Sequence, residues 1–303
     1  MKPGLWLALI AVLTAVIVFS IHAYRYRFVR SDGDMLALLP GGDAALFFVD
    51  FAALRHGGVL NLVGETKPVR DPDYDNFVKE TGFDYTSSVD VVVGEATATE
   101  VYFIVRGRFD WPRLRRYAMA HGGSCAGGFC KVPPRRTGHW ISFLPIQPDV
   151  MALAVSANPS AAEVLRPRGR PTRRALRSEP VWVSLPLSLI RKPSTFPESL
   201  QLFANLLQTA DSVFLSVDRA APDGGAVFNL KLDAAFPLET AAETTRNQFE
   251  IQTKMFKLEL AREHRQPNPA DLTGLLTGGS FQVVSKHVIG TWPVRKELLN
   301  MMK

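Results

Sequence analysis

The first hydrophobic pattern in the chain is unbroken, not periodic. Leu5 to Ile21 reads LWLALIAVLTAVIVFSI, with Thr14 and Ser20 as its polar side chains and no charge. These seventeen residues, as a helix, rise about 26 Å, close to the hydrocarbon thickness of a bilayer. Trp6 lies at one edge, and Tyr24, Tyr26 and Phe28 at the other, where aromatic side chains favour the membrane interfaces. We expect a retained anchor over residues 1–24. The competing reading is a cleaved signal peptide, but Ile21 fits poorly three positions before a cut after Ala23.

A juxtamembrane linker, 25–42, closes with the turn Leu39-Pro40-Gly41-Gly42. Shorter patterns then alternate. Ala45 to Asp50 (ALFFVD) is apolar on both faces and reads as a largely buried strand. A weak helix follows from Ala52 to Leu62, interrupted by Gly57 and Gly58. Asp71-Pro72 caps and opens a helix over Tyr74 to Glu80, which Gly82 closes. Val89 to Gly94 and Val101 to Arg106 form a hairpin across ATATE, with Val101, Phe103 and Val105 on one face. Asp110 caps the next helix, Pro112 opens it and Gly122 ends it. Strands follow around Cys130, at Trp140 to Leu144 and at Val150 to Val155, then a short helix from Asn158-Pro159 to Leu165.

Arg166 to Ser178 (RPRGRPTRRALRS) holds six arginines, two prolines and a glycine. It has no core-facing pattern and reads as an exposed linker. The order of elements then recurs. Val181 to Leu185 resembles the first strand, and Thr195 with Glu198 forms a capping box before a helix over Leu200 to Ala210. Val213 to Val217 and Val227 to Leu232 form a hairpin. A long helix from about Leu238 to Arg265 carries Leu238, Ala242, Thr245, Phe249, Phe256 and Leu260 on one stripe. Asn268-Pro269 starts a short helix, and Phe281 to Ser285 and Val288 to Gly290 are strands. Thr291, Trp292 and Pro293 are expected to open a terminal helix.

The expected fold class is therefore α+β: one N-terminal transmembrane helix, then halves at 43–165 and 180–303 joined by the linker 166–179. Each half is a mainly antiparallel sheet with packed helices. The recurrence admits two readings, an internal duplication or two unrelated runs of ordinary elements.

Composition narrows the class. With 303 residues, 47% hydrophobic and 21% charged, the chain is too apolar for general disorder and long enough for one large domain or two average ones. Its net charge of +6 is concentrated in arginine clusters. Lys2 before the apolar segment and Arg25, Arg27 and Arg30 after it argue for a cytoplasmic domain. The short leading tail and a close cysteine pair argue for an extracytoplasmic one. We expect a single-pass membrane protein with its domain outside the cytoplasm.

That pair, Cys125-Ala-Gly-Gly-Phe-Cys130, is the sharpest local feature. The glycines let the chain turn back so that a disulfide closes the loop. Two other readings stay open: free thiols, or a zinc site completed by His121 and His139. The spacing matches no zinc motif. Asp71, Asp73 and Asp75 mimic the start of a calcium loop, but Asn76 replaces the turn glycine and Gly82 the bidentate Glu.

Arg106, Arg108, Arg113, Arg115 and Arg116, interleaved with Trp111 and Tyr117, make a basic structured segment. Together with Arg25, Arg27 and Arg30 it is a candidate surface for anionic lipid or another polyanion. The alternative is an amphipathic helix whose arginines simply face water. Catalytic motifs are missing: no nucleophile elbow, P-loop, dinucleotide fingerprint or zinc-protease helix occurs. No cofactor is expected.

The strings GGDAALFFVDFAALR at 41–55, FVKETGFDYTSSVD at 77–90, VRGRFDW at 105–111 and GGSC at 122–125 carry a resemblance to uncharacterised bacterial membrane-anchored proteins of unknown function. The resemblance implies an α+β domain behind one membrane segment and envelope association, with no site residues to carry over. The expected function is a non-catalytic envelope module that binds a protein, lipid or polyanion. The rivals are a hydrolase without a recognisable signature and, were the domain cytoplasmic, a nucleic-acid-binding module.

Overall fold

The computed structural model describes residues 29, 31–57, 72–134, 138–167, 177–192, 198–220 and 226–301. The proposed anchor, Leu5 to Ile21, and Arg25, Arg27 and Arg30 lie outside these residues, as do Asp71, Thr195 and most of the arginine-rich linker. Among the described residues, no helix is long and apolar enough to cross a membrane.

The stretch read as juxtamembrane linker instead holds helix α1 (Asp32–Leu36), started by a capping box between Ser31 and Asp34, and its Met35 and Leu36 join the core of the first half. Strand β1 (Ala45–Asp50) runs into α2 (Phe51–His56), whose first turn is capped by the Asp50 carboxylate accepting from the Ala53 N–H. Next come α3 (Pro72–Thr81), a single turn α4 (Tyr85–Ser88), the hairpin β2 (Val89–Ala96) and β3 (Val101–Gly107), and α5 (Trp111–Ala120). A small hairpin, β4 (Ser124–Ala126) and β5 (Phe129–Val132), precedes β6 (Trp140–Gln147), β7 (Val150–Ser156) and a 3-10 turn at Ala161–Leu165. The second half is β8 (Val181–Leu185), α6 (Leu187–Ile190), α7 (Glu198–Leu206), β9 (Ser212–Arg219), β10 (Ala226–Ala235), α8 (Glu239–Arg262), α9 (Leu272–Thr277), β11 (Ser280–Val284), β12 (His287–Arg295) and α10 (Lys296–Met301).

The chain is α+β, and its strands form one antiparallel sheet in the order β11-β12-β10-β9-β8-β1-β2-β3-β7-β6-β5-β4. The halves thus share a single sheet, not one each. The seam is β1 against β8, with Phe47 opposite Val183 and Phe48 opposite Trp182. Both strands are apolar on both faces, as a central strand needs to be. Outward from the seam, β2, β3, β7 and β6 on one side match β9, β10, β12 and β11 on the other. The β4–β5 hairpin is an addition at the edge of the first half.

Register assigns every strand residue to one of two faces. The front face carries Phe47, Val92, Phe103, Val105, Met151 and Leu153 in the first half. In the second it carries Val213, Leu215, Leu232, Val288 and Trp292. α3 and α5 pack over the first set and α7, α8 and α9 over the second. The back face of the first half is covered by α1 and the 3-10 turn, burying Met35, Leu36, Ile104, Ala152 and Leu165. In the second half the back face is polar: Ser216, Asp218, Lys231, Asp233 and His287.

Three expectations are corrected here. Thr291, Trp292 and Pro293 do not open a helix but continue β12, because Trp292 takes the next front-face position after Gly290 and packs edge-on against Phe281, ring centroids 5.3 Å apart. Pro293 is tolerated because β11 ends opposite Thr291, leaving no partner on that side to miss its N–H. Leu238 is not part of the buried stripe of α8; it stands just before the helix and is 61% exposed. Arg177, read as exposed linker, docks on the back face. It pairs with Asp233 at 2.7 Å and stacks on Phe214 at 4.0 Å.

Candidate functional site

Cys125 and Cys130 are bonded to each other. They face one another across β4 and β5, and Gly127 and Gly128 make the turn with φ of 55° and 85°. A two-residue turn with both residues left-handed matches the twist of a hairpin, and glycine reaches it without a Cβ penalty. The bond consumes both thiols, which removes the zinc alternative with His121 and His139. Among the described residues, no three His, Cys, Asp or Glu side chains gather as a metal site.

Cys130 is fully buried beneath α5, in the cluster holding Leu114, Ala118, Phe143 and Met151. Beside that cluster the packing opens into a cavity of about 650 Å³. Its floor is the front face of β6 and β7, with Ile141, Phe143, Met151, Leu153 and Val155. One wall is α3 and α5, through Phe77, Leu114 and Tyr117; the other is the end of β5, through Val132, Pro133 and Pro134. The arginine-rich helix and the cysteine hairpin therefore border one space.

Sequence places the wall directly. Pro112 and Asp110 fix the start of α5, the Asp110 carboxylate accepting from the Arg113 N–H at 3.0 Å. From there Leu114, Tyr117 and His121 fall at spacings of three and four, one face of a helix. Phe77 of α3 meets Tyr117 edge-on at 5.0 Å and Phe83 at 6.1 Å, and Phe83 stacks on Phe109. This aromatic run holds α3 against α5 and keeps the wall upright.

The polar groups in the lining are Asp73, Tyr117, His121 and His139. The ring of His121 lies 4.0 Å from that of Tyr117, and its Nδ1 is 2.8 Å from the Tyr117 carbonyl. A carbonyl only accepts, so Nδ1 carries the proton in this contact. Among the described residues, the lining contains no Ser, Thr, Cys, Lys or Glu. The groups whose titration is displaced lie elsewhere. Burial pushes Tyr74 and Tyr102 up to about 12, and neither lines the cavity.

The structured arginines do not form one surface. Arg106 is on the back face, paired with Asp32 at 2.5 Å. Arg108 donates to the Ser87 carbonyl, and Arg113 pairs with Asp110 at 3.4 Å. Arg115 and Arg116 remain exposed on α5. Asp73, from the stretch that mimics the start of a calcium loop, is exposed and lines the cavity.

A second, smaller cavity of about 180 Å³ lies on the same sheet face in the other half, under α7, α8 and α9. Neither cavity was expected from the sequence. On the floor of the larger one, Ile141 remains 43% exposed.

No family model matches the chain, and no curated protein matches it. Among solved structures, crystal form I of TP0453 is similar at 12% identity, covering 89% of this chain and 96% of that one, with a TM-score of 0.47. Crystal form IV of TP0453 is similar at 13% identity, covering 89% and 96%, with a TM-score of 0.45. A likeness this remote says nothing of activity or ligand.

Proposed function

We propose that the protein is a non-catalytic binding module that holds an amphiphile in the cavity between α3, α5 and strands β5 to β7. The observation that carries this reading is the cavity itself. Its volume of about 650 Å³ falls within the range of roughly 300–1,000 Å³ typical of small-molecule sites. Its floor and walls are aliphatic and aromatic, and its few polar groups suit a ligand with an apolar body and one polar end. Among the described residues, no Ser, Thr or Cys stands in the lining beside His121 or His139 to serve as an activated nucleophile.

The address follows from the apolar segment. Leu5 to Ile21 holds the domain at a bilayer, and the Cys125–Cys130 disulfide is compatible with an oxidising, extracytoplasmic compartment. The matched strand order about the β1–β8 seam, with both helical layers on one face, supports internal duplication of the two halves. A two-fold axis perpendicular to the sheet at that seam would preserve faces and exchange the halves.

The test is a titration with N-phenyl-1-naphthylamine, which brightens in apolar surroundings. Leu153→Trp places an indole on the cavity floor. The wild type should bind the dye saturably at this site, and L153W should lose that component while melting like the wild type. An unchanged titration in folded L153W would refute the assignment.

A further inference from the structure

We propose that the cavity in the second half is a separate binding site for a single alkyl chain. Among the described residues, every side chain lining it is apolar and no polar atom opens into it. Its inner wall is Val213, Leu232 and Phe249, each at most 2% exposed. Water needs two to four polar partners in a buried site, and an apolar void of about this size stays dry and admits hydrocarbon guests. Trp292 lines the void; its Nε1 is buried against Gly279 and without a hydrogen-bond partner among the described residues.

The shape of the opening selects the guest. Leu185, Leu215, Leu230 and Leu275 line the cavity yet keep part of their surface exposed. The void therefore reaches the surface between leucines, with no polar side chain lining it among the described residues to bind a head group. A hydrocarbon tail gains by leaving water for these walls. Its polar end stays at the mouth, in solvent. This site differs from the first, where imidazoles, a phenol and a carboxylate enter the lining, and it does not depend on that site being occupied.

Trp292 supplies the reporter. Full-length protein in nanodiscs is titrated with 9,10-dibromostearate, whose bromines quench tryptophan on contact, with unbrominated stearate as control. The chain has five tryptophans, so the Trp292 contribution is the difference between the wild type and W292F. We expect that contribution to be quenched saturably. Ala204→Phe puts a ring into the void and should raise the quenching midpoint at least about tenfold, the loss expected when two or more methylenes no longer fit. If A204F fails to fold, the comparison of wild type with W292F decides alone. No quenching of Trp292, an unshifted midpoint in folded A204F, or quenching confined to Trp111 (isolated with W111F, beside the first cavity) would each overturn the proposal.

Discussion

Gly94 sits opposite Phe47 in the β1–β2 ladder, and the Phe47 ring lies across it. A Cβ built on Gly94 would be 2.0 Å from Phe47 Cζ and 2.5 Å from both Cε atoms. Carbon atoms in contact prefer about 3.5–4.0 Å, so the ring would have to move by well over 1 Å. It cannot slide freely, because its edge meets Phe103 with centroids 5.6 Å apart. Gly94→Ala therefore overpacks the sheet, at about 1–3 kcal/mol. The opposing effect, a stiffer unfolded chain, is worth roughly 0.4–1 kcal/mol. The clash wins, leaving a net loss near 1 kcal/mol, or roughly 2–4 °C in Tm for a chain of this size. Phe47→Leu alone removes ring contacts and is mildly destabilising. In the double variant the two losses should not add, with a coupling of at least about 1 kcal/mol. Urea and thermal denaturation of the four proteins measure this. Additive losses, or a stabilised G94A, would show that the ring does not cover Gly94 and that the register beside the seam is wrong.

Reducing the Cys125–Cys130 bond opens a six-residue loop and should lower stability by about 2 kcal/mol in the chain-entropy model. Parallel denaturation with and without reductant reads it, and no change would mean the hairpin is held by packing alone. Asp110→Ala removes the cap of α5 and should cost about 1 kcal/mol; a null effect would question the start of that helix. Burial alone would raise the titration of Asp233, but hydrogen bonds from His287 and Arg177 outweigh it and hold the carboxyl below the usual carboxylate range. A depressed carboxyl stabilises the fold above its unfolded pKa of about 3.9, and that stability is lost as pH falls through the lower folded value. Asp233→Asn should flatten the stability profile below about pH 4. A profile that still falls as in the wild type would assign the acid sensitivity to other carboxylates.

Local patterns made most of the elements legible. ALFFVD and VWVSL are apolar on both faces, and both became central strands. Val213 to Val217 and Val227 to Leu232 read as a hairpin, and they pair as β9 and β10. The seam between β1 and β8 was not legible, since pairing between strands more than a hundred residues apart leaves no mark in either one. The TWPV stretch looked like a helix start from its Thr and Pro, yet packing of Trp292 against Phe281 kept it in the sheet. Arg177 read as linker because composition carries no information about Asp233 and Phe214 waiting on the back face. α4 was missed because four residues give no period; its signal is Asp84, whose carboxylate accepts from the Thr86 N–H at 3.0 Å. The cavities escaped for a different reason. A void is a mismatch between a sheet face and the helices laid over it, and no single segment records a mismatch.

An amphiphile held between α3, α5 and the floor of β6 and β7 should travel with the protein. The most direct measurement is mass spectrometry of small molecules released on denaturing full-length protein purified from the membranes in which it is made, wild type beside L153W. An amphiphile near one equivalent in the wild type, and depleted in folded L153W, is the expected result. Equal amounts in both proteins, or none in the wild type, would contradict it.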